Sequence, residues 1–164
     1  MPQYFMVKVD REGDDSGNTK RRTIFRDEGL VGIGWSAFDL REGPATVEAA
    51  IQAYEGTKPT NIQNMKRRYI EHFLSISEGD RLVIPMGRSF HIGVARSEWA
   101  HRMIEPYVGL DIANTLKVDW CMLPKGPKPF SKREVSAGLQ GIMGDRGKTV
   151  WPLDAFADEI ERRL

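Results

Sequence analysis

Strand-like runs in this chain are separated by helical stretches of unequal length, and this irregular order is the strongest constraint on its fold. Tyr4-Phe-Met-Val-Lys-Val9 is rich in β-formers and reads as a strand. Leu30-Val-Gly-Ile-Gly-Trp35 reads as another, with glycines alternating with large residues so that a second backbone or a ligand can come close. Arg81-Leu-Val-Ile84 and Phe90-His-Ile-Gly-Val-Ala95, divided by Pro85-Met-Gly-Arg-Ser89, read as a β-hairpin. Thr115–Trp120 is a further strand, and Thr149–Trp151 a last short one. Helices are expected at Thr23–Glu28 (stopped by Gly29), Thr46–Tyr54 and Thr60–Leu74. In the last of these, Ile62, Met65, Tyr69, Ile70 and Phe73 form a core-facing stripe. Ser131 with Glu134 matches a capping box opening a short helix, and Ala155–Arg163 reads as a final amphipathic one. Asp10–Asn18 reads as a polar loop, and residues 97–114 as a long irregular connection. This is not the regular β-α-β alternation of a doubly wound sheet. It predicts an α+β domain: a curved mixed β-sheet or partial barrel with flanking helices. The expectation is a single domain over 1–164 with a C-terminal helix at about 153–163.

The hydrophobic share is 40%, and counting Gly while leaving out Tyr brings it to about 48%, an ordinary globular value that argues against disorder. No apolar run nears the roughly 18 residues of a membrane span, and Met1-Pro-Gln-Tyr-Phe-Met lacks the layout of a secretory signal, so a cytoplasmic protein without membrane partners is expected. A lone cysteine, Cys121, rules out an internal disulfide and a multi-cysteine zinc site, and it reads as buried and inert.

The formal net charge of +1 argues against bulk coating of DNA, but the charge is uneven. Residues 1–64 carry 8 basic and 10 acidic side chains, residues 65–133 carry 12 and 7, and residues 134–164 carry 4 and 6. The middle excess gathers at Lys66-Arg67-Arg68 and at Lys125, Lys128, Lys132 and Arg133. Such clusters suit either a solvated face or a local strip that contacts a few phosphates.

Enzyme signatures are missing: there is no phosphate-binding Gly-rich motif, and Gly32-Ile-Gly34 is a fragment of one. His72, His91 and His101 lack metal-ligand spacing; His72 reads as a packing or surface residue, and His91 as facing solvent or a groove. Gly-Trp-Ser36-Ala-Phe lacks the second glycine of a nucleophile elbow. No catalytic residue, metal or cofactor is therefore expected. The tryptophans point elsewhere. Trp120 and Trp151 read as core, whereas Trp35 ends a glycine-rich strand, followed by Ser36 and Phe38, and Trp99 and Tyr107 fall in the expected long loop. Two facing aromatic planes can sandwich an extruded base.

Phe5-Met-Val-Lys8-Val9-Asp10, Gly32-Ile-Gly-Trp35-Ser36, Phe90-His-Ile-Gly93-Val-Ala95 and Leu116-Lys-Val-Asp-Trp120 resemble, in order, the framework of YTH and EVE domains, which are PUA-like folds. Ile76-Ser-Glu-Gly79-Asp80-Arg-Leu-Val-Ile-Pro85 resembles the Gly-Asp-x-Val turn and strand of the EVE side, found in reader domains of modification-dependent restriction systems of the McrB and Mrr kind. Phe130-Ser-Lys-Arg133 resembles the segment after the Lys-x-Asp-Trp strand of YTH domains, so the resemblance spans roughly residues 3–135. It implies a non-catalytic reader that flips a modified base, N6-methyladenine or 5-methylcytosine, into an aromatic cage. DNA is favoured over RNA, with a nuclease or motor as a possible partner in restriction or defence. Trp35 would be one wall, Ser36 the pocket mouth, Asp10 the base-edge reader and Trp99 the second wall, with Tyr107, His101 and Phe38 nearby. Lys66, Arg67, Arg68, Lys128, Lys132 and Arg133 would meet phosphates, which positions a strand without reading its sequence. The alternatives are a nucleic-acid-processing enzyme of the same group and a sensor module binding a ligand or protein.

Overall fold

A computed structural model describes residues 1–123 and 126–164. The main strands are β1 (Tyr4–Val7), β2 (Leu30–Ile33), β3 (Arg81–Met86), β4 (Ser89–His101) and β5 (Asn114–Trp120), followed by the short β6 (Met122–Leu123), β7 (Gly126–Pro127), β8 (Phe130–Ser131) and β9 (Val150–Pro152). The helices are α1 (Asp15–Glu28), α2 (Pro44–Glu55), α3 (Thr60–Leu74), α4 (Ala137–Gly144) and α5 (Ala157–Glu161). The large sheet runs β2-β5-β4-β3-β1-β9, with β8 added to β4, and β6 and β7 form a separate two-stranded ribbon. All pairings are antiparallel except β1 with β3. The fold is thus α+β, with an open, mixed, mostly antiparallel sheet rather than a closed barrel.

Side-chain alternation divides the sheet between two cores. Phe5, Val7, Leu82 and Ile84 face a cluster completed by Phe25 of α1, Ile51 of α2 and Phe73 of α3. Tyr4, Met6, Val83 and Ile92 face the other way, onto Leu139 and Met143 of α4 and Ile160 of α5. Both faces are therefore covered. No helix among the described residues is long and apolar enough to cross a membrane.

Several expected boundaries move for identifiable reasons. The expected Asp10–Asn18 loop is half helix: Asp14 caps α1, its carboxylate accepting from Gly17 N at 3.2 Å, and Asn18 closes back on Arg11. The expected stop at Gly29 is present, with φ 62°. Strand β4 runs on through Trp99 to His101, resuming its pairing with β5 after a register shift between Ala95 and Trp99. A bulge of this kind re-aims the side chains beyond it. The expected capping box is not formed as such: Ser131 Oγ accepts from Arg133 N at 3.3 Å over a single 3-10 turn, and the true helix, α4, is capped by Ser136. The C-terminal helix is reduced to a 3-10 turn at Asp154–Phe156 and the five residues of α5. Cys121 is half-buried rather than buried.

His91 overturns its expected outward position. It is 4% exposed, edge-on to Trp120 at 6.0 Å, and its Nδ1 has no partner among the described residues. Burial, reinforced by Arg26, pushes its pKa down to about 4. An imidazole depressed in the folded state takes up its proton more readily when unfolded, so stability is full above the unfolded value of about 6.5 and declines as pH falls toward 4. The expected loss from this residue is about 2 kcal/mol by pH 5. Denaturant melts of the parent and of His91→Phe between pH 7 and 5 check this, and the variant should show less of the decline.

Candidate functional site

The site is built on the turn that leaves β2. Gly32 and Gly34 alternate there because the segment entering β5 lies directly against them. A side chain at Gly32 would meet Ile112 O at 2.6 Å, and one at Gly34 would run into the Asp111 carboxylate. The close approach expected at these glycines is thus that of another backbone at Gly32 and of a carboxylate at Gly34.

Trp35 follows with φ 51°, in the left-handed region. That conformation is rare for a bulky side chain and persists only where the surroundings over-determine it. The constraints are visible. Ser36 N donates to Asp111 Oδ1 at 3.1 Å, and Ser36 Oγ accepts from Ala113 N at 3.0 Å. Ser36 O accepts from His101 Nε2 at 2.7 Å, so Nε2 carries a proton. Asn114 donates from Nδ2 to Gly34 O at 2.9 Å and to Phe38 O at 3.1 Å, while its Oδ1 accepts from Leu40 N at 3.2 Å. From α2, the Tyr54 hydroxyl accepts from Ala37 N at 3.1 Å, and Phe38 meets the Tyr54 ring edge-on at 6.2 Å. Asp111, itself at φ 52°, is held by Arg11 through its Oδ2 at 3.4 Å and through its carbonyl. The ring of Trp35 is half-buried against the main core, and its indole N–H is sequestered with no acceptor among the described residues.

The expected cage residues separate into four places. Trp35, Ser36 and Phe38 share the held turn. Trp99 lies beside it on β4, two residues before His101; Phe73 abuts it edge-on at 5.4 Å, and the Arg41 guanidinium lies over it at 4.7 Å. A cavity of about 130 Å³ opens there, lined by Asp39, Arg41, Trp99, His101, Asn114 and Thr115 among others. Tyr107 stands apart: it is 5% exposed, its hydroxyl donates to Glu28, and the Arg102 guanidinium lies over its ring at 5.2 Å. Asp10 is engaged by Arg22 through two contacts of 2.6 Å and by Gly87 N at 3.1 Å, at the tip of the β3–β4 hairpin. A carboxylate so paired has most of its acceptor capacity taken.

The expected phosphate contacts also differ among themselves. Lys66 is half-buried, with Nζ 5.8 Å from the Tyr69 ring, and burial pushes its pKa down, Lys58 and Arg11 adding to the effect and Glu55 opposing it. Arg67 is committed to Glu48 (2.5 and 2.9 Å) and to Asn64. Arg68 and Arg133 form no ion pair among the described residues. Burial also lowers the pKa of Lys132, which feels both Asp10 and Arg22, and Lys128 lies over Phe130 at 4.9 Å. Lys125 lies outside the described residues. Arg11, Arg41 and Asp111 were not among the expected site residues. For Asp111 the paired glycines 32 and 34 were the only sequence signal, and they name no partner.

No family model and no curated protein matches the chain. Among solved structures, the chain is similar to a YTH domain of Zygosaccharomyces rouxii crystallised with N6-methyladenosine RNA, over 99% of this chain and 86% of that one, at 11% identity and a TM-score of 0.43. So loose a likeness says nothing of what this chain binds.

Proposed function

We propose that the chain is a non-catalytic nucleic-acid reader that stacks a modified base on Trp35. The observation that carries this reading is the held turn: a tryptophan kept in the left-handed region by contacts from Asp111, Ala113, Asn114, His101 and Tyr54. Strain of this kind gathers where a ligand is gripped. The half-buried ring of Trp35, packed against the main core yet partly accessible, supports the reading by leaving aromatic surface for a base. Methylation of a base adds an apolar group that favours an aromatic face, while stacking offsets the few kcal/mol of extracting the base. Lys66, close enough to Arg11 for that guanidinium to lower its proton affinity, would meet the strand beside the turn. DNA is the first substrate of the proposal.

The test is a panel of oligonucleotides carrying N6-methyladenine, 5-methylcytosine or no modification, in DNA and RNA form, titrated against the parent. A preference for one modified base supports the reading. Equal binding of modified and unmodified strands in both nucleic acids would overturn it.

A further inference from the structure

We infer that the cavity beside Trp99 is a second station on the same strand, with Arg41 holding the phosphodiester next to the modified nucleotide. This rests on the reading of the chain as a nucleic-acid reader. It differs from the sequence expectation in two respects: Trp99 is not the opposite wall of one cage, and the phosphate contact comes from none of the basic clusters.

Arg41 is exposed, and among the described residues its guanidinium forms no ion pair and no hydrogen bond; only its backbone N–H is used, donating to Asp39 Oδ1 at 3.2 Å. The guanidinium nevertheless has a fixed place, over the Trp99 ring at 4.7 Å. Stacking of this sort orients the planar fork without consuming its N–H donors, and less order is then lost when the fork meets a phosphate. Trp99 is in turn braced from behind by the edge of Phe73. Arginines 11, 21, 22, 67 and 81 spend guanidinium donors on carboxylates or carbonyls, and Arg68 and Arg133, though unpaired among the described residues, line no part of this cavity, so Arg41 stands out by its place over a ring at the rim.

The cavity is also joined to the Trp35 turn. His101 and Asn114 line it, and the same two residues bond Ser36 O and the carbonyls of Gly34 and Phe38. Arg41 sits in a 3-10 turn, Leu40–Glu42, that follows the Trp35 turn in the chain. A stacking surface at Trp35 and an oriented guanidinium at Arg41, served by the same supporting side chains, fit successive units of a single strand better than one sandwiched base. The Thr115 hydroxyl in the lining is already used, donating to Ala100 O and accepting from Arg102 Nε, both at 3.2 Å, so the free donors at the rim are those of Arg41.

The experiment measures binding of the preferred oligonucleotide over a range of salt for the parent, Arg41→Gln, Arg41→Lys and Trp35→Ala, with inorganic phosphate titrated separately. Each variant's thermal melt is compared with the parent's, and Arg41→Gln, at an exposed position, should match it. Arg41→Gln should weaken binding about tenfold and lessen the slope of log K against log salt by about one. Arg41→Lys should keep the slope and lose a few-fold in affinity, because the charge remains and the planar, multiply donating guanidinium over Trp99 does not. A parental slope in Arg41→Gln overturns the assignment. Inorganic phosphate binding as tightly as a dinucleotide, and dependent on Arg41, would mark a free-anion site and overturn the nucleotide assignment too. If the parent shows no modified-base preference while Arg41→Gln still lessens the slope, the Trp35 reading fails and the phosphate station stands.

Discussion

Replacing Trp35 by alanine is expected to abolish the preference for a modified base and to weaken binding by the worth of one stacked base, about 1–3 kcal/mol, or roughly five- to 150-fold. The loss should fall on the modified strand alone, so that modified and unmodified oligonucleotides converge on one weak affinity in a fluorescence-anisotropy titration. A companion variant separates binding from folding. Trp35→Gly removes the same ring but suits φ 51° far better than any side chain does. It relieves about 1–2 kcal/mol of backbone strain while giving up the packing of a half-buried ring. Trp35→Gly should therefore melt at or above the temperature of Trp35→Ala and bind no better. A glycine variant that kept the preference would place the base elsewhere.

Asp111→Ala is expected to cost about 3 kcal/mol of stability and most of the binding. The estimate has two sources. Ser36, 3% exposed, loses the acceptor for its N–H, and an unpaired buried amide costs about 1–3 kcal/mol. Alanine at φ 52° adds about 1 kcal/mol that aspartate, tolerant of this region, avoids in part. Arg11 also loses its carboxylate, though that pair is more than a third exposed on both sides and adds little. Asp111→Asn keeps one oxygen acceptor and the backbone preference, and should recover most of the stability. Urea melts of the two variants check the order. An alanine variant as stable as the asparagine one would show that the clamp is not what holds the turn.

What the sequence made legible follows from how local each signal is. Helix α3 lies where its stripe predicts, with Tyr69, Ile70 and Phe73 buried, because the apolar period and the packing agree. Strands β1, β3 and β5 and the Gly29 stop were legible for the same reason. The start of α1 was not, since Asp14, Gly17 and Asn18 look like a loop until Arg21 folds back to bind Asp14, Asn18 and Leu110 O. His91 was placed outward by strict alternation, yet both faces of the sheet are covered and alternation no longer separates wet from dry. In the candidate site, the importance of the Gly32–Ser36 run was legible. Its partner Asp111 was not, because a contact over 75 residues leaves no periodic trace. Position after β1 points to Asp10 as free to meet a base, but the first turns of α1, which carry no local helix signal, bring Arg22 onto it.

Strand β1 sits between β3 and β9 and pairs with both. As the chain leaves the ribosome, Tyr4–Val7 therefore emerges well before either strand it pairs with: Arg81–Met86 follows after α1, β2, α2 and α3, and Val150–Pro152 later still, after α4. Four apolar residues with unsatisfied edges must wait out that interval, which is the circumstance in which nascent chains aggregate. Non-local pairing of this order also slows folding. Recombinant yield should then depend on temperature and chaperone supply more than the finished fold would suggest.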